Sequence, residues 1–247
     1  FRTFRTNSIT MQISLGIEII QEALWIKKEQ ILIISDLHLG YEDHLFQKGI
    51  FLPKSQIKTI ILKLETILNK IKPNKTKKII INGDLKHEFA KVLKQEWKDV
   101  LILIDFLLKN CQELILIKGN HDTILGPIAQ KRNLKVLSEY IINQTLIIHG
   151  DQLIETKQKR IIIGHEHPAI SLREKSKVEK YKCFLKGKWN SKELIVMPSL
   201  NPLLEGTDIL KEQLLSPFLQ DIKDYNVFVI GKEEIFAFGK VKELKNN

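Results

Sequence analysis

Residues 113–122 read ELILIKGNHD, a largely apolar run that stops at a cluster of polar residues. A short apolar run bounded by glycine is typical of a strand that is buried on both faces. Gly119, Asn120, His121 and Asp122 follow at its carboxyl end. Because ligands of α/β sheets bind beyond the carboxyl ends of the strands, this stretch predicts a strand that delivers polar side chains to a site.

Four further strands are predicted from runs of the same kind, and each run also stops at Asp, His or Gly. The runs occupy 30–35, Lys78–Asn82, Thr145–Ile148 and Arg160–Ile163. They stop respectively at Asp36-Leu37-His38, Gly83-Asp84, His149-Gly150 and Gly164-His165-Glu166-His167. If the five strand ends converge, they build one site.

The rest of the chain predicts a single α/β domain. Apolar residues at helical spacing predict helices at 54–71 and 92–109, between the early strands. Later strands are predicted at 179–189, 193–197, 225–230 and 233–239. This order indicates an α/β sandwich whose first half is largely parallel. No linker divides the chain, so we expect one domain over 11–247, with residues 1–10 as an added or disordered extension.

Composition excludes several classes of protein. Hydrophobic residues make up 43% and charged residues 28% of the 247 residues, which argues against a disordered or fibrous chain. No apolar run approaches the roughly 18–20 residues that cross a bilayer, and the first ten residues lack the apolar core of a signal peptide. We therefore expect no membrane partner. Cys111 and Cys183 are too few for a disulfide scaffold and fit a reducing, cytoplasmic location.

The chain is basic, and its positive charge comes mainly from lysine. The formal net charge is +10, and only 5 of the 39 basic residues are arginine. A basic chain favours polyanionic partners. Since sequence-specific reading of bases favours arginine, this composition predicts attraction to a phosphate backbone more than recognition of bases.

Six of the seven histidines lie in the polar clusters or directly beside them. If each of the six had a separate structural role, their shared position at strand ends would be a coincidence. Asp36 and His38 are two residues apart, as are His165 and His167. In an extended segment this spacing points both side chains to one face, so we expect each pair to supply two ligands to one metal region. A mixed set of carboxylate, amide and imidazole ligands suits Mn, Fe, Zn or Ni and differs from the all-oxygen shell of Ca.

The five clusters occur in the order found in the calcineurin-like metallophosphoesterase superfamily, which the chain resembles over residues 36–167. The longer stretches SDLHLGYE, NGDLKHEF and KGNHD are similar to archaeal phosphoesterases related to the nuclease of double-strand-break repair. They are also similar to bacterial endonucleases associated with DNA ligases. The resemblance implies an α/β fold, a four-layer αββα sandwich of two mixed β-sheets with the site at its top.

The resemblance also implies a role for each cluster residue. Asp36, His38 and His167 would hold one metal ion, Asn120, His149 and His165 the other, and Asp84 would bridge the two. His121 would protonate the leaving oxygen as a general acid. The implied cofactors are two divalent transition-metal ions, manganese first, with iron, zinc or nickel as alternatives. The implied reaction is hydrolysis of a phosphodiester by a hydroxide that bridges the two ions.

His87 departs from the pattern of many relatives, which carry an aspartate at this position. That aspartate orients the catalytic histidine, and a histidine cannot supply the same fixed charge. Asp122 or Asp43 could instead orient His121, which makes Asp122 a second candidate catalytic residue. His87 would then contact the substrate, or lie in a surface loop without such a role.

A lysine-rich strand is the candidate surface for a polyanion. On a strand over 179–189, Lys180, Lys182, Lys186 and Lys188 share one face. We expect this face to lie beside the metal site and to bind the phosphates of a substrate. The alternative is an edge strand whose lysines prevent aggregation.

Three functions remain open from the sequence. The first is a phosphodiesterase that acts on the backbone of DNA or RNA, which the basic charge and the motifs shared with repair enzymes favour. The second is a hydrolase of a small phosphoester, such as a nucleotide or cyclic nucleotide, which the compact chain favours. The third is a non-catalytic scaffold on the same fold, against which the seven complete ligand positions and His121 argue. The oligomeric state is not predicted.

Overall fold

The structure, a computed structural model, describes residues 9–71, 76–88, 94–122, 131–132, 134–174, 177–232 and 234–244. Within these residues the chain forms two β-sheets that pack face to face through a shared layer of apolar side chains. Two long helices cover the outer face of the first sheet.

The first sheet has seven strands in chain order, β1 to β7. Strands β1 to β4 are antiparallel, and β4 to β7 are parallel. Their bounds are Thr10–Ser14, Ile17–Ile20, Ala23–Ile26, Ile31–Ile34, Lys78–Asn82, Glu113–Ile117 and Lys135–Leu137. The parallel half therefore places the carboxyl ends of β4, β5 and β6 at one edge.

The second sheet has nine strands, and its central part is also parallel. The path runs β14-β11-β12-β13-β10-β9-β8, with β15 beside β12 and β16 beside β15. Strands β9, β10 and β13 are parallel neighbours. The bounds of β8 to β16 are Glu139–Ile142, Thr145–Ile148, Arg160–Ile163, Pro168–Glu174, Lys177–Trp189, Lys192–Val196, Thr207–Asp208, Asn226–Ile230 and Ile235–Lys240.

Four helices have both ends within the described part of the chain. They are α1 at Tyr41–Gln47, α2 at Gln56–Ile71, α3 at Lys94–Lys109 and α4 at Val241–Leu244. Helix α2 buries a face at three- and four-residue spacing, which includes Ile60, Leu64 and Ile67. That face packs against the first sheet together with α3, so α2 and α3 hold the strand ends in place from one side.

The strands alternate between two apolar layers. Ile31 and Ile33 pack between the two sheets, whereas Leu32 and Ile34 pack beneath the helices. Both faces of β4 are thus buried, which explains why its sequence is a continuous apolar run. On the outer side of the second sheet, the chain at 209–225 and helix α4 supply the covering side chains.

The fold prediction is confirmed: the chain has two mixed sheets in an α/β sandwich. The five strands that precede the polar clusters end within one residue of the predicted positions. Sequence analysis missed seven strands, namely β1, β2, β3, β7, β8, β11 and β14. These strands are short or lie outside the motifs.

Strand β1 begins at Thr10, which pairs with Ile20. The predicted domain boundaries stay a prediction. Residues 1–8 lie outside the described residues, as do residues 92 and 93 of the second predicted helix and residue 233 of the last predicted strand. Among the described helices, none is both long enough and apolar enough to span a membrane.

The layer between the sheets predicts a large cost for truncating Phe184, which is fully buried there. Replacing Phe184 with alanine should lower the free energy of unfolding by about 3–5 kcal/mol, because the cavity left behind closes only in part. Phe51→Ala is the matched control, since Phe51 is 74% exposed, and should change stability by less than about 0.5 kcal/mol. Urea unfolding followed by fluorescence measures both, and equal effects would contradict this assignment of the core.

Candidate metal centre

The carboxyl ends of five strands meet where the two sheets face each other. Strands β4, β5 and β6 contribute from the first sheet, and β9 and β10 from the second. Seven side chains from the segments after these strands converge there: Asp36, His38, Asp84, Asn120, His149, His165 and His167. The expected convergence on one site is therefore present in the structure.

Asp36, His38 and His167 form the first ligand cluster, in which the three donor atoms lie within 4.8 Å of one another. Asp36 Oδ1 lies 3.2 Å from His167 Nε2. The Nε2 atoms of His38 and His167 are 3.4 Å apart. Two imidazole nitrogens and a carboxylate oxygen that face one another at such distances form a set suited to a divalent cation.

Asp84, His149 and His165 form the second ligand cluster, by the same measure. His149 Nε2 lies 3.2 Å from His165 Nδ1 and 3.4 Å from Asp84 Oδ2. Asn120 Oδ1 adds an amide oxygen 2.9 Å from His149 Nε2. The mixture of carboxylate, amide and imidazole predicted from the sequence is thus assembled at this position.

Asp84 lies between the two ligand clusters. Its Oδ2 atom is 3.5 Å from His38 Nε2 and 3.4 Å from His149 Nε2. Its other oxygen, Oδ1, accepts the backbone N–H of His121 at 2.9 Å. The carboxylate is therefore held so that one oxygen faces both clusters.

The ligand segments are not extended, and on this point the sequence-based expectation was wrong. Asp36 and His38 have φ values of 55° and 42°, and His165 and His167 have φ values of 61° and 50°. These left-handed conformations are costly for residues other than glycine and persist only where the surroundings determine them. These backbone conformations, and not strand alternation, bring Asp36 and His38 together. His165 and His167 are also two residues apart, but they belong to different clusters.

Two glycines make room for the ligands. A Cβ atom at Gly83 would lie 2.0 Å from His149 Nδ1, and one at Gly119 would lie 2.2 Å from Asp84 Oδ1. Both positions therefore require a residue without a side chain.

Electrostatics within the clusters also fit a cation site. Burial would raise the pKa of the Asp36 carboxyl, but the charges of His167 and His149 hold it below its ordinary value. Burial would lower the pKa of His149, yet a hydrogen bond and charge from Asp84, with charge from Asp36, raise it to about 9. The buried carboxylates thus attract whatever positive charge is within reach, and a metal ion would replace the proton in that role.

His121 lies beside the clusters, and its ring is oriented by the backbone. Its Nδ1 atom contacts the carbonyl oxygen of His87, and its Nε2 atom lies 4.0 Å from Asp84 Oδ2. The ring of His87 stacks on the ring of His121, with centroids 5.4 Å apart and planes inclined by 23°. The residue that departs from the family pattern therefore orients His121 through its carbonyl group.

Asp122 and Asp43 have other partners. The Asp122 carboxylate accepts the backbone N–H groups of Leu85, Lys86 and Gly119. It thereby ties the segment after β5 to the segment after β6, so the geometry favours a positioning role for Asp122 over contact with the substrate. Asp43 accepts a hydrogen bond from Lys54 at 2.9 Å.

Glu96 is a functional candidate that sequence analysis missed. Its Oε1 atom accepts the backbone N–H groups of His87, at 3.1 Å, and Glu88, at 3.2 Å. Glu96 lies on α3 and is buried, so it holds the loop whose carbonyl orients His121. No sequence signal distinguished it from the other charged residues of the helix.

The lysine face predicted on β12 is not an open basic surface. Lys180 Nζ donates to Gly206 O and Glu212, and Lys186 Nζ donates to Ile13 O. Lys182 Nζ donates to two carbonyl oxygens, and Lys188 is exposed. Three of the four ammonium groups thus bind protein atoms, which removes the support for their role as phosphate ligands.

The edge-strand alternative stays a prediction for three of the four lysines. Leu185 and Lys186 pair with β13 on one side and with β15 on the other. Residues 177–182 pair with β11, and residues 187–189 pair with β13. Among the four lysines, Lys186 is therefore the one with a described partner strand on both sides.

A cleft of about 490 Å³ opens beside the second ligand cluster. Asn120 and His149 line it on the metal side, and Lys118, Asp151 and Gln152 are among the residues that line the rest. It offers space for a substrate that extends away from the clusters.

The chain has known relatives in sequence and in fold. A model of the calcineurin-like phosphoesterase family matches residues 30–231. No curated protein sequence matches the chain. The structure of nuclease MPE from Pseudomonas putida aligns with a TM-score of 0.63 at 18% identity, over 90% of this chain and 94% of that one. A protein of unknown function from Aquifex aeolicus aligns with a TM-score of 0.36 at 19% identity, over 56% and 78% of the two chains.

Gly119→Ala tests whether the clusters need the space beside Asp84. We expect this substitution to abolish or strongly weaken metal binding, because its Cβ would displace the Asp84 carboxylate. Gly16→Ala is the control: Gly16 has a φ of +77°, but nothing lies within 4 Å of its Cβ position. Each variant is dialysed against a divalent salt, and its metal content is then measured by atomic emission. A thermal melt of the same sample shows whether the variant is folded. Full metal content in Gly119→Ala would contradict the arrangement.

Proposed function

The chain belongs to the calcineurin-like phosphoesterase family, and on that premise we propose that it hydrolyses phosphodiester bonds in nucleic acid. Family membership agrees with the resemblance drawn from the motifs and makes the protein a metal-dependent phosphoesterase. The nucleic-acid substrate is the proposal. It is supported by the site geometry, the cleft beside the second ligand cluster and the net charge of +10.

The position of the Asp84 carboxylate carries the assignment of the site. Its Oδ2 atom lies within 3.5 Å of a histidine of each ligand cluster, so a single carboxylate serves both. A non-catalytic scaffold would not need two complete ligand sets joined in this way.

We propose two divalent transition-metal ions as cofactors, manganese first. Asp36, His38 and His167 would hold one ion, Asn120, His149 and His165 the other, and Asp84 both. When bound, the ions would supply Lewis-acid stabilisation of the phosphoryl oxygens and a water molecule of lowered pKa. The donor set of carboxylate, amide and imidazole groups in the structure fits such ions.

His121 is proposed as the general acid for the leaving oxygen. The carbonyl oxygen of His87 can only accept a hydrogen bond, so Nδ1 of His121 must be the donor and carry a hydrogen. The other nitrogen, Nε2, faces the ligand clusters. In the imidazolium form this Nε2–H can donate to the oxygen that departs from phosphorus.

His87 is proposed to contact the substrate with its ring. Burial, together with the charges of His44 and His121, lowers the pKa of His87 to about 4, so the ring is neutral near pH 7. The neutral ring of His87 lies against the ring of His121, beside the ligand clusters.

The substrate class has one competing candidate, which the lysine contacts on β12 favour. With three of the four lysines bound to protein atoms, the chain lacks the basic track expected for a long polyanion at this face. A small nucleotide or cyclic nucleotide would need only the ligand clusters and the neighbouring cleft.

Two finer assignments remain proposals. The motifs shared with repair enzymes and the solved structure described as a nuclease support a role in DNA repair. Cys111 and Cys183 are both unpaired, which supports a cytoplasmic location.

Nucleic-acid cleavage is tested with single-stranded and duplex DNA and RNA, each with manganese, and compared with cyclic nucleotides at equal phosphodiester concentration. We expect the protein to cleave nucleic acid internally, and we expect a chelator to abolish this cleavage. Asp84→Asn should also abolish it, because the substitution weakens the ligand that both metal ions share. Faster hydrolysis of cyclic nucleotides than of any nucleic acid would favour the competing candidate. No metal-dependent hydrolysis of any phosphoester would contradict both.

His121→Ala should retain metal but lose about 10²–10⁴-fold in kcat on a diester with a poor leaving group. The loss should be much smaller with a nitrophenolate leaving group, which needs little protonation. His44→Ala is a control, because the ring of His44 packs on His87 outside the ligand clusters. Equal losses for both leaving groups would contradict the role of general acid.

A further inference from the structure

Residues 199–201, here called the support loop, lie directly behind the first ligand cluster. Ser199 Oγ donates to the carbonyl oxygen of Asp36 at 2.6 Å. Asn201 Nδ2 donates to the carbonyl oxygen of His38 at 3.4 Å, and Leu200 N donates to Ser35 O at 2.9 Å. The support loop thus binds the backbone at both metal-ligand residues of this segment.

These contacts act where the backbone most needs support. Asp36 and His38 both have positive φ values, 55° and 42°. Such conformations persist only when surrounding contacts determine them. Gln56 Nε2 is a second donor to the His38 carbonyl oxygen, at 2.9 Å. The Asp36 carbonyl oxygen receives its side-chain hydrogen bond from Ser199.

Lys182, on the neighbouring strand β12, holds the support loop. Its Nζ atom donates to Ser199 O at 2.8 Å and also to Asn201 O. One ammonium group therefore fixes both ends of a three-residue loop. Burial lowers the pKa of Lys182 to about 7. The protonated and the neutral amine both carry enough N–H groups to donate to both carbonyl oxygens, so the contact supports the loop in either form.

The role of Lys182 differs from that of its neighbours on β12. Lys180 binds Gly206 O and Glu212, and Lys186 binds Ile13 O and Glu193. Among the lysines predicted to bind phosphate, Lys182 is the one whose contacts lead back to metal ligands.

We propose that Lys182, acting through Ser199 and Asn201, is a positioning residue that sets the metal affinity of the first ligand cluster. The proposal rests on the proposed function only in assuming that the first ligand cluster binds a metal ion. It does not depend on the identity of the substrate. Groups that orient metal ligands without touching the metal commonly change metal affinity by about 10–100-fold.

The test measures manganese binding without substrate. The full chain is stripped with a chelator and titrated with Mn²⁺ by calorimetry, with the free ion counted by electron paramagnetic resonance. Wild type should bind two ions, and Lys182→Met should weaken one of the two by about tenfold or more while leaving the other within about twofold. Lys182→Arg, which keeps a charged donor, should restore most of the affinity.

Lys186→Met is the matched control. It removes an ammonium group from the same strand that also donates to a backbone carbonyl, that of Ile13 at 2.7 Å. We expect it to bind both ions as wild type does. Equal weakening in Lys186→Met and Lys182→Met would overturn the proposal, because the effect would then follow from general destabilisation of β12. Unchanged binding in Lys182→Met would overturn it as well.

Ser199→Ala keeps the proposal testable if Lys182→Met fails to fold. It removes only the hydroxyl that binds Asp36 O, and we expect weakening at the same single ion. The double variant should weaken binding by less than the product of the two single effects, since both act on one contact path. Wild-type affinity in Ser199→Ala would overturn the proposal.

Failure of this inference is distinguishable from failure of the proposed function. Two-ion binding by the wild type with no hydrolysis of nucleic acid would contradict only the substrate assignment. A wild-type chain that binds no metal would overturn the proposed function and this inference together.

Discussion

The two carboxylates buried among histidines, Asp36 and Asp84, impose the constraint on which the rest of the structure depends. Each lies within 4 Å of imidazole nitrogens from the opposite sheet. Buried carboxylates are stable only with a compensating positive charge. The two sheets must therefore meet at their carboxyl edges with enough precision to place ligands from both around Asp84. The apolar layer between the sheets, which includes Phe184, holds that alignment.

Support for the ligands comes from residues far away in the chain. Asp122 ties the segments after β5 and β6 together through three backbone N–H groups. Glu96 holds the loop of His87 from α3, and Ser199 holds Asp36 from the second sheet. Ser199 supports the left-handed conformation of Asp36, because it donates to the Asp36 carbonyl oxygen. The geometry of the site therefore depends on both sheets and on helix α3.

The lysines of β12 show that a regular pattern along a strand does not reveal what covers its face. Alternation along the strand correctly placed Lys180, Lys182 and Lys186 on one face, but it carried no information about what covers that face. Carbonyl and carboxylate oxygens of other segments occupy the ammonium groups. A lysine ammonium group satisfied by protein oxygens has less to offer a phosphate, so exposure had to be known before function was assigned.

The sequence by itself determined the α/β class, the five strands that lead to the site and the identity of the residues that gather there. Buried strands require apolar runs, and a metal site at their ends requires Asp, Asn and His. Both requirements can be recognised in short stretches of the sequence. Tertiary structure decided why Gly119 must lack a side chain and how His121 is oriented. Those outcomes depend on contacts such as that of His87 O with His121 Nδ1. The contacting segments are distant in the chain, so the sequence does not show that they are close in space. The positive φ values of Asp36 and His38 belong to the same class, because remote hydrogen bonds and not local preference impose them.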